Sequence, residues 1–232
     1  MMIAGLVKSS LIDYPGLIAS VLFVPGCNYR CFYCHNYALI SSNPPPSIQP
    51  TGLILAFLQT RVGKLDGVVI TGGEPTGQKD LPDVLERVKS LGFRVKVDTN
   101  GSRPDVIAQL IKDELADFYA VDYKAPAARY VEIAGAGADA GPVRETIGIL
   151  LANRVDFQVR TTVIPQFDDQ DMVVMARELP PVPSYILNPY RKPVHHHPDD
   201  QSRVEQTPKT REQLHELAQL MKPWQPHISA SG

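Results

Sequence analysis

Short apolar runs alternate with segments of helical period along most of the chain. Leu17 to Val24 (Leu-Ile-Ala-Ser-Val-Leu-Phe-Val) ends at Pro25-Gly26 and predicts a first core strand. Beyond Pro44-Pro45-Pro46, Ile54, Phe57 and Leu58 share one helical face. Val68-Val69-Ile70-Thr71 is nearly all apolar, as expected of a strand in a parallel sheet covered on both faces. Leu81, Val84, Leu85, Val88 and Leu91 follow helical spacing, with Asp80 placed to cap the start and Gly92 to stop it. The unit then repeats. Arg94 to Thr99 precedes a helix with Val106, Leu110 and Ile111; Phe118 to Asp122 precedes one with Val143, Ile147, Leu150 and Leu151. Phe157 to Val163 precedes Met172, Met175, Ala176 and Leu179, and Tyr185 to Leu187 predicts a sixth strand. Leu214, Leu217, Ala218 and Met221 predict a last helix, opened by Thr210 and Gln213 as a capping box.

Six strands alternating with helices predict an α/β protein with a parallel sheet and right-handed crossovers. Six units fall short of the eight of a full barrel, and the count fits a partial (β/α)6 barrel open on one side. A length of 232 residues fits one domain over 1–232, with a core at about 15–190 and a loop and helix over 191–232. The net charge of −2 removes any electrostatic case for nucleic-acid binding. No apolar run is long enough to span a bilayer, and the N-terminus lacks a basic region followed by a signal-peptide core. With three free thiols and no export signal, the expected compartment is the cytoplasm.

Those thiols are the chain's most informative feature. Cys27, Cys31 and Cys34 are its only cysteines and fall in one loop, Pro25-Gly26-Cys27-Asn28-Tyr29-Arg30-Cys31-Phe32-Tyr33-Cys34-His35-Asn36. A cubane iron–sulfur cluster normally takes four thiolates, so three leave one iron open to a small molecule. Zinc is the first alternative, but its fourth ligand would have to be His35, awkwardly adjacent to Cys34. Cysteines packed as small hydrophobes are the second, against which stand the aromatic and polar residues between the thiols. The odd count and tight spacing disfavour disulfides.

Cys-x3-Cys-x2-Cys, with aromatic Tyr33 just before the last cysteine, resembles the signature of the radical S-adenosylmethionine (SAM) family. Ser10-Leu11-Ile12-Asp13-Tyr14-Pro15-Gly16 and Cys34-His35-Asn36 resemble a narrower group, the glycyl-radical-enzyme activases, and within it the activating protein of anaerobic ribonucleoside-triphosphate reductase. The resemblance covers roughly residues 1 to 190. It implies a partial-barrel fold, a [4Fe-4S] cluster on Cys27, Cys31 and Cys34, and SAM on the open iron. It implies reductive cleavage to a 5′-deoxyadenosyl radical, with no catalytic residue beyond the cluster and SAM. The implied partners are a flavodoxin or ferredoxin electron donor and a glycyl radical enzyme. Two other classes stay open: a radical SAM enzyme acting on a small molecule, such as a 7-carboxy-7-deazaguanine synthase, and a non-catalytic metal-binding module.

Ligands of parallel α/β folds gather at the carboxyl ends of strands, and the chain's polar motifs sit there one after another. In Thr71-Gly72-Gly73-Glu74-Pro75, paired glycines allow backbone to approach a ligand and Glu74 offers a carboxylate to an ammonium; a plain tight turn is the alternative. By resemblance this motif meets the SAM amino group, and Tyr33 joins it among the cofactor contacts. Asp98-Thr99-Asn100-Gly101 and Asp122-Tyr123-Lys124 follow the next two strands. The resemblance implies that Asp98, Thr99 and Asp122 line a monovalent cation site beside SAM, with Asn100 nearby and Lys124 on the cofactor carboxylate. A surface ion pair is the alternative for Lys124. Arg160 puts a charge in an otherwise buried strand and needs a partner, either SAM or a structural salt bridge. Asn188-Pro189-Tyr190 reaches the same end but lacks a histidine that some activases carry there, which leaves the adenosine contacts open. His195-His196-His197, followed by Asp199-Asp200, reads as a solvated loop or a metal site.

Overall fold

The computed structural model describes residues 1–40 and 49–231. Pro44-Pro45-Pro46 lies outside the described residues. The main sheet has eight strands: β1 (Gly5–Tyr14), β2 (Leu17–Val24), β3 (Gly67–Gly72), β4 (Arg94–Thr99), β5 (Phe118–Asp122), β6 (Phe157–Val163), β7 (Tyr185–Pro189) and β8 (Ile228–Ala230). They lie side by side in sequence order, with β1 antiparallel to β2 and all later neighbours parallel. The sheet stays open between β1 and β8 and does not close as a barrel. All six expected strands are present; β1 and β8 extend the sheet at its two edges. A separate two-residue ladder joins Met2–Ile3 to Gln49–Pro50.

Helices α1 (Thr51–Gln59), α2 (Leu81–Ser90), α3 (Pro104–Lys112), α4 (Ala140–Ala152), α5 (Asp169–Glu178) and α6 (Arg211–Met221) carry the apolar faces that periodicity picked out. In α3 the deeply buried pair is Ile107 and Leu110, with Val106 and Ile111 packed at its margin. The Thr210/Gln213 capping box of α6 is formed. Asp80 is the N-cap of α2, but its side chain makes no capping bond and pairs instead with the chain's N-terminal amine. Gly92, at φ +89°, ends that helix in the left-handed region.

Strand periodicity divides the sheet into two faces. Leu22, Val24, Val68, Ile70, Val95, Val97, Tyr119, Val121, Val159 and Leu187 join the helices in the main core. The other face carries a small apolar cluster of Tyr14, Ala19, Val21 and Val69, and beyond it a row of polar side chains. The apolar cover on both faces expected at Val68–Thr71 therefore holds for the start of β3, whereas β4 and β6 have it on one face only. Val-Lys-Val-Asp and Gln-Val-Arg-Thr-Thr-Val alternate because one face meets helices and the other a cavity.

Candidate active site

That cavity, about 540 Å³, lies at the carboxyl ends of the strands and gathers most of the residues expected there. Cys27, Cys31, Tyr33, Cys34, Gly72, Gly73, Asp98, Thr99, Asn100, Asp122, Lys124 and Arg160 all line it, as do Asn188 and Pro189. Glu74 does not. Asp13 lines the cavity too, which brings the Ser10–Gly16 segment to the same cavity as the cysteines. Thr162, Arg191 and Ser231 line it without having been expected, and Asn36 and Thr71 join it from motifs that the sequence singled out without naming them as site residues. The strand alternation was the available signal for Thr71 and Thr162. Nothing in the local sequence marks Ser231, which arrives with β8 and donates to Asn188 Oδ1 at 2.9 Å.

The cysteine loop is fixed along its length. Arg30 N–H donates to Ala134 O (2.8 Å), Tyr29 Oη to Asp139 O (3.2 Å), and Asn28 Nδ2 to Ser102 Oγ (2.8 Å). Phe32 and Tyr33 pack edge to face, and the Arg203 guanidinium lies 3.8 Å from the centre of the Phe32 ring. The Gly72-Gly73 pair has a different use from the one expected. A Cβ on Gly73 would stand 1.8 Å from Gly26 O, and one on Gly72 2.4 Å from Val24 N. The backbone these glycines admit is that of the cysteine loop. Gly73 N–H donates to Val24 O and Glu74 N–H to Gly26 O, both at 2.8 Å.

Glu74 is 2% exposed, and its carboxylate is satisfied inside the protein. Oε1 accepts from Thr76 N (3.0 Å), Thr76 Oγ1 (2.6 Å) and Thr99 Oγ1 (2.7 Å); Oε2 accepts from Asn100 N (2.7 Å). Burial raises its carboxyl above the ordinary range even against these donors. The carboxylate therefore joins the ends of β3 and β4 instead of reaching into the cavity. Asn100, so placed, turns Nδ2 toward Asn28 Oδ1 (2.9 Å) and Cys27 Sγ (3.8 Å).

A ladder of alternating charges crosses β4, β5 and β6. Lys96 Nζ donates to Asp98 Oδ1 (2.6 Å), Arg160 Nη1 to Asp98 Oδ2 (3.0 Å), Arg160 Nε to Asp122 Oδ1 (3.0 Å), and Lys124 Nζ to Asp122 Oδ2 (3.2 Å). Burial alone would raise the Asp122 carboxyl; Arg160 and Lys124 outweigh it and hold the group at about 2. Arg160 and Lys124 thus have structural ion pairs while still lining the cavity. Where the resemblance implied an inorganic cation, each oxygen of Asp98 and Asp122 already carries one tethered side-chain cation, and Thr99 Oγ1 is turned to Glu74.

Residues 21–179 match the model of the Radical SAM superfamily. The chain belongs to the radical SAM superfamily. It is similar, at 32% identity over 82% of its length and 80% of the relative's, to the protein of Methanocaldococcus jannaschii named "Putative glycyl-radical enzyme activating enzyme MJ1227". A 7-carboxy-7-deazaguanine synthase of Methanopyrus kandleri is 38% identical over 44% of this chain and 47% of its own. Among solved structures, Streptococcus suis SuiB bound to S-adenosylmethionine superposes at TM-score 0.68 and 12% identity, over 91% of this chain and 52% of that one. A domain of pyruvate-formate lyase-activating enzyme from Bacteroides vulgatus superposes at 0.54 and 16%, over 72% of this chain and 99% of that one. The chain spans about half of SuiB and of the synthase.

The superfamily implies a [4Fe-4S] cluster and SAM, and the residues present suit both. Three free thiols share one cavity wall, and the Tyr29 N–H donates to Cys27 Sγ at 3.4 Å. Burial pushes the Cys27 and Cys31 thiols up to about 11, so thiolates there need positive charge beside them. Iron supplies that charge in a cluster, and Lys124 lowers all three thiols from the protein side. Among the described residues no helix is long and apolar enough to cross a membrane.

Proposed function

We propose that this chain is a glycyl-radical-enzyme activase whose partner is an anaerobic ribonucleoside-triphosphate reductase, with flavodoxin or ferredoxin as electron donor. When bound, the reduced cluster and SAM supply a 5′-deoxyadenosyl radical that takes hydrogen from a glycine Cα of the partner. Cys27, Cys31 and Cys34 would hold three irons, with the Tyr29 N–H and Asn100 Nδ2 against Cys27 sulfur. Tyr33, Gly72 and Gly73 line the same space, and the exposed faces of Asp98, Asp122, Lys124 and Arg160 offer it both signs of charge. Glu74 would act one step removed, by fixing Thr99 and Asn100. The observation that carries the reading is the Ser10–Gly16 segment. It brings Asp13 to the cavity while Leu11 and Ile12 beside it are 76% and 90% exposed, apolar surface suited to a protein partner. The similarity to the M. jannaschii protein along four-fifths of both chains supports it.

The test is electron paramagnetic resonance on the reduced, SAM-loaded protein mixed anaerobically with an anaerobic ribonucleoside-triphosphate reductase. The expected result is a glycyl-radical doublet with one deoxyadenosine formed per radical. SAM cleavage without that doublet, but with turnover of a small molecule such as a pterin, would move the chain toward the synthase-like class.

A further inference from the structure

Lys96 is a buried charge whose purpose the cofactors do not explain. It shares the inner face of β4 with Asp98, is 1% exposed, and donates to Asp98 Oδ1 at 2.6 Å and Asp13 O at 2.7 Å. A buried ammonium is costly unless oxygens replace its water, and here a carboxylate and a carbonyl do so. Carboxylate and carbonyl oxygens are also the donors that a hard metal cation takes. Asp98 Oδ2 is filled by Arg160, which reaches from β6 past the register position of Ala120 in β5. The ladder therefore ties three side-chain cations, Lys96, Arg160 and Lys124, to Asp98 and Asp122, with the Asp13 carboxylate the next negative charge to act on Lys96. An added cation at Asp98 would have to compete with two tethered ones already on its oxygens.

We propose that Lys96, with Arg160, is a built-in counter-cation: its ammonium stands where an inorganic cation would otherwise neutralise Asp98, so this chain binds SAM without sodium or potassium. Lys96 is a positioning residue. It acts on the cofactor cavity through Asp98, and its bond to Asp13 O ties the Ser10–Gly16 segment to the same wall. The inference rests on superfamily membership and not on the activase reading, since any use of SAM in this cavity needs Asp98 held.

The test measures SAM affinity of the anaerobically reconstituted full chain by equilibrium dialysis. Tetramethylammonium is the only cation in one buffer, with sodium or potassium at matched ionic strength in the others. The wild-type affinities should agree within about twofold. A fall of about tenfold or more in tetramethylammonium would overturn the proposal. Lys96→Ala should lose roughly tenfold or more in that buffer and regain it with potassium, ammonium or methylammonium. Lys96→Met, whose side chain fills the space without a charge, should lose affinity and not regain it. Wild-type affinity of Lys96→Ala in tetramethylammonium would also overturn the proposal, as would a loss that no small cation restores at full iron content. Iron content and melting temperature accompany each variant. Should the variants fail to fold, the wild-type comparison decides alone.

Discussion

Glu74 and Asp98 are buried carboxylates at the ends of neighbouring strands, 2% and 9% exposed, and the protein satisfies them in opposite ways. Glu74 is surrounded by dipoles, two backbone N–H groups and two hydroxyls, none of which carries a charge. Asp98 is held by an ammonium and a guanidinium, and the same guanidinium continues to Asp122. Backbone donors are fixed in direction and cannot be re-partnered without moving a strand end, so the Glu74 node is architecture. The ladder's donors are charged side chains, and the carboxylates they hold line the cavity, so the ladder is where the electrostatics of the site are set. This contrast also explains why a motif that reads as a ligand contact stays out of the cavity while its neighbours enter it.

Removing the Glu74 carboxylate should give the largest effect. Glu74→Ala leaves the Thr76 and Asn100 N–H groups buried without acceptors, at about 1–3 kcal/mol each, so a loss of about 2–6 kcal/mol is expected in urea unfolding. Because Asn100 and Gly73 both sit against the cysteine loop, reconstituted iron should fall with stability. Glu74→Gln, which keeps one acceptor oxygen, should recover only part. Weaker SAM binding at unchanged stability and iron would break the contrast and return Glu74 to direct contact with the cofactor.

Arg160→Met tests the charged side. It strips one oxygen of Asp98 and one of Asp122 of their partner, and a broken buried pair costs about 3–5 kcal/mol. Asp122 keeps 35% side-chain exposure, so solvent screening reduces the expected loss to about 2–3 kcal/mol. The acid limb should move with it. Asp122 is depressed in the folded protein, so its contribution is complete above the unfolded carboxylate range and drains as the pH falls toward about 2. Without Arg160 the folded value rises, and acid unfolding should begin at a higher pH. An unchanged acid limb would show that Lys124 alone holds Asp122.

The same contrast separates what was legible in the sequence from what was not. β2 to β7 were readable because apolar runs bounded by turn residues mark strands whose core face packs on helices. β1 was not: its pairing with β2 shifts register between Val7 and Ser10 and again before Tyr14, which scrambles the two-residue period. β8 has three residues, too few for any period. The cysteines and most cavity-lining motifs were readable because their chemistry is local to a strand end. The work of Glu74 was not, because two of its donors come from Thr99 and Asn100, a full β–α unit later. Lys96 was not singled out at all, and its partner Asp13 lies 83 positions away.

Asn36 offers the smallest and most discriminating probe of the neutral side. Its Nδ2 donates to Gly72 O at 2.9 Å, tying the end of the cysteine loop to β3. One neutral hydrogen bond contributes about 0.5–1.5 kcal/mol net. The backbone bonds from Gly73 to Val24 and from Glu74 to Gly26 run beside it and survive its removal. Asn36→Ala should therefore lower the melting temperature by only about 1–5 °C. Iron content should stay full, with SAM affinity within about threefold. The side chain also lines the cavity, so the outcome separates two roles. A small thermal shift with intact iron makes it one redundant tie among several. Loss of iron at unchanged melting temperature would mean that the amide serves the cofactors directly, and the neutral side would then share the ladder's chemistry.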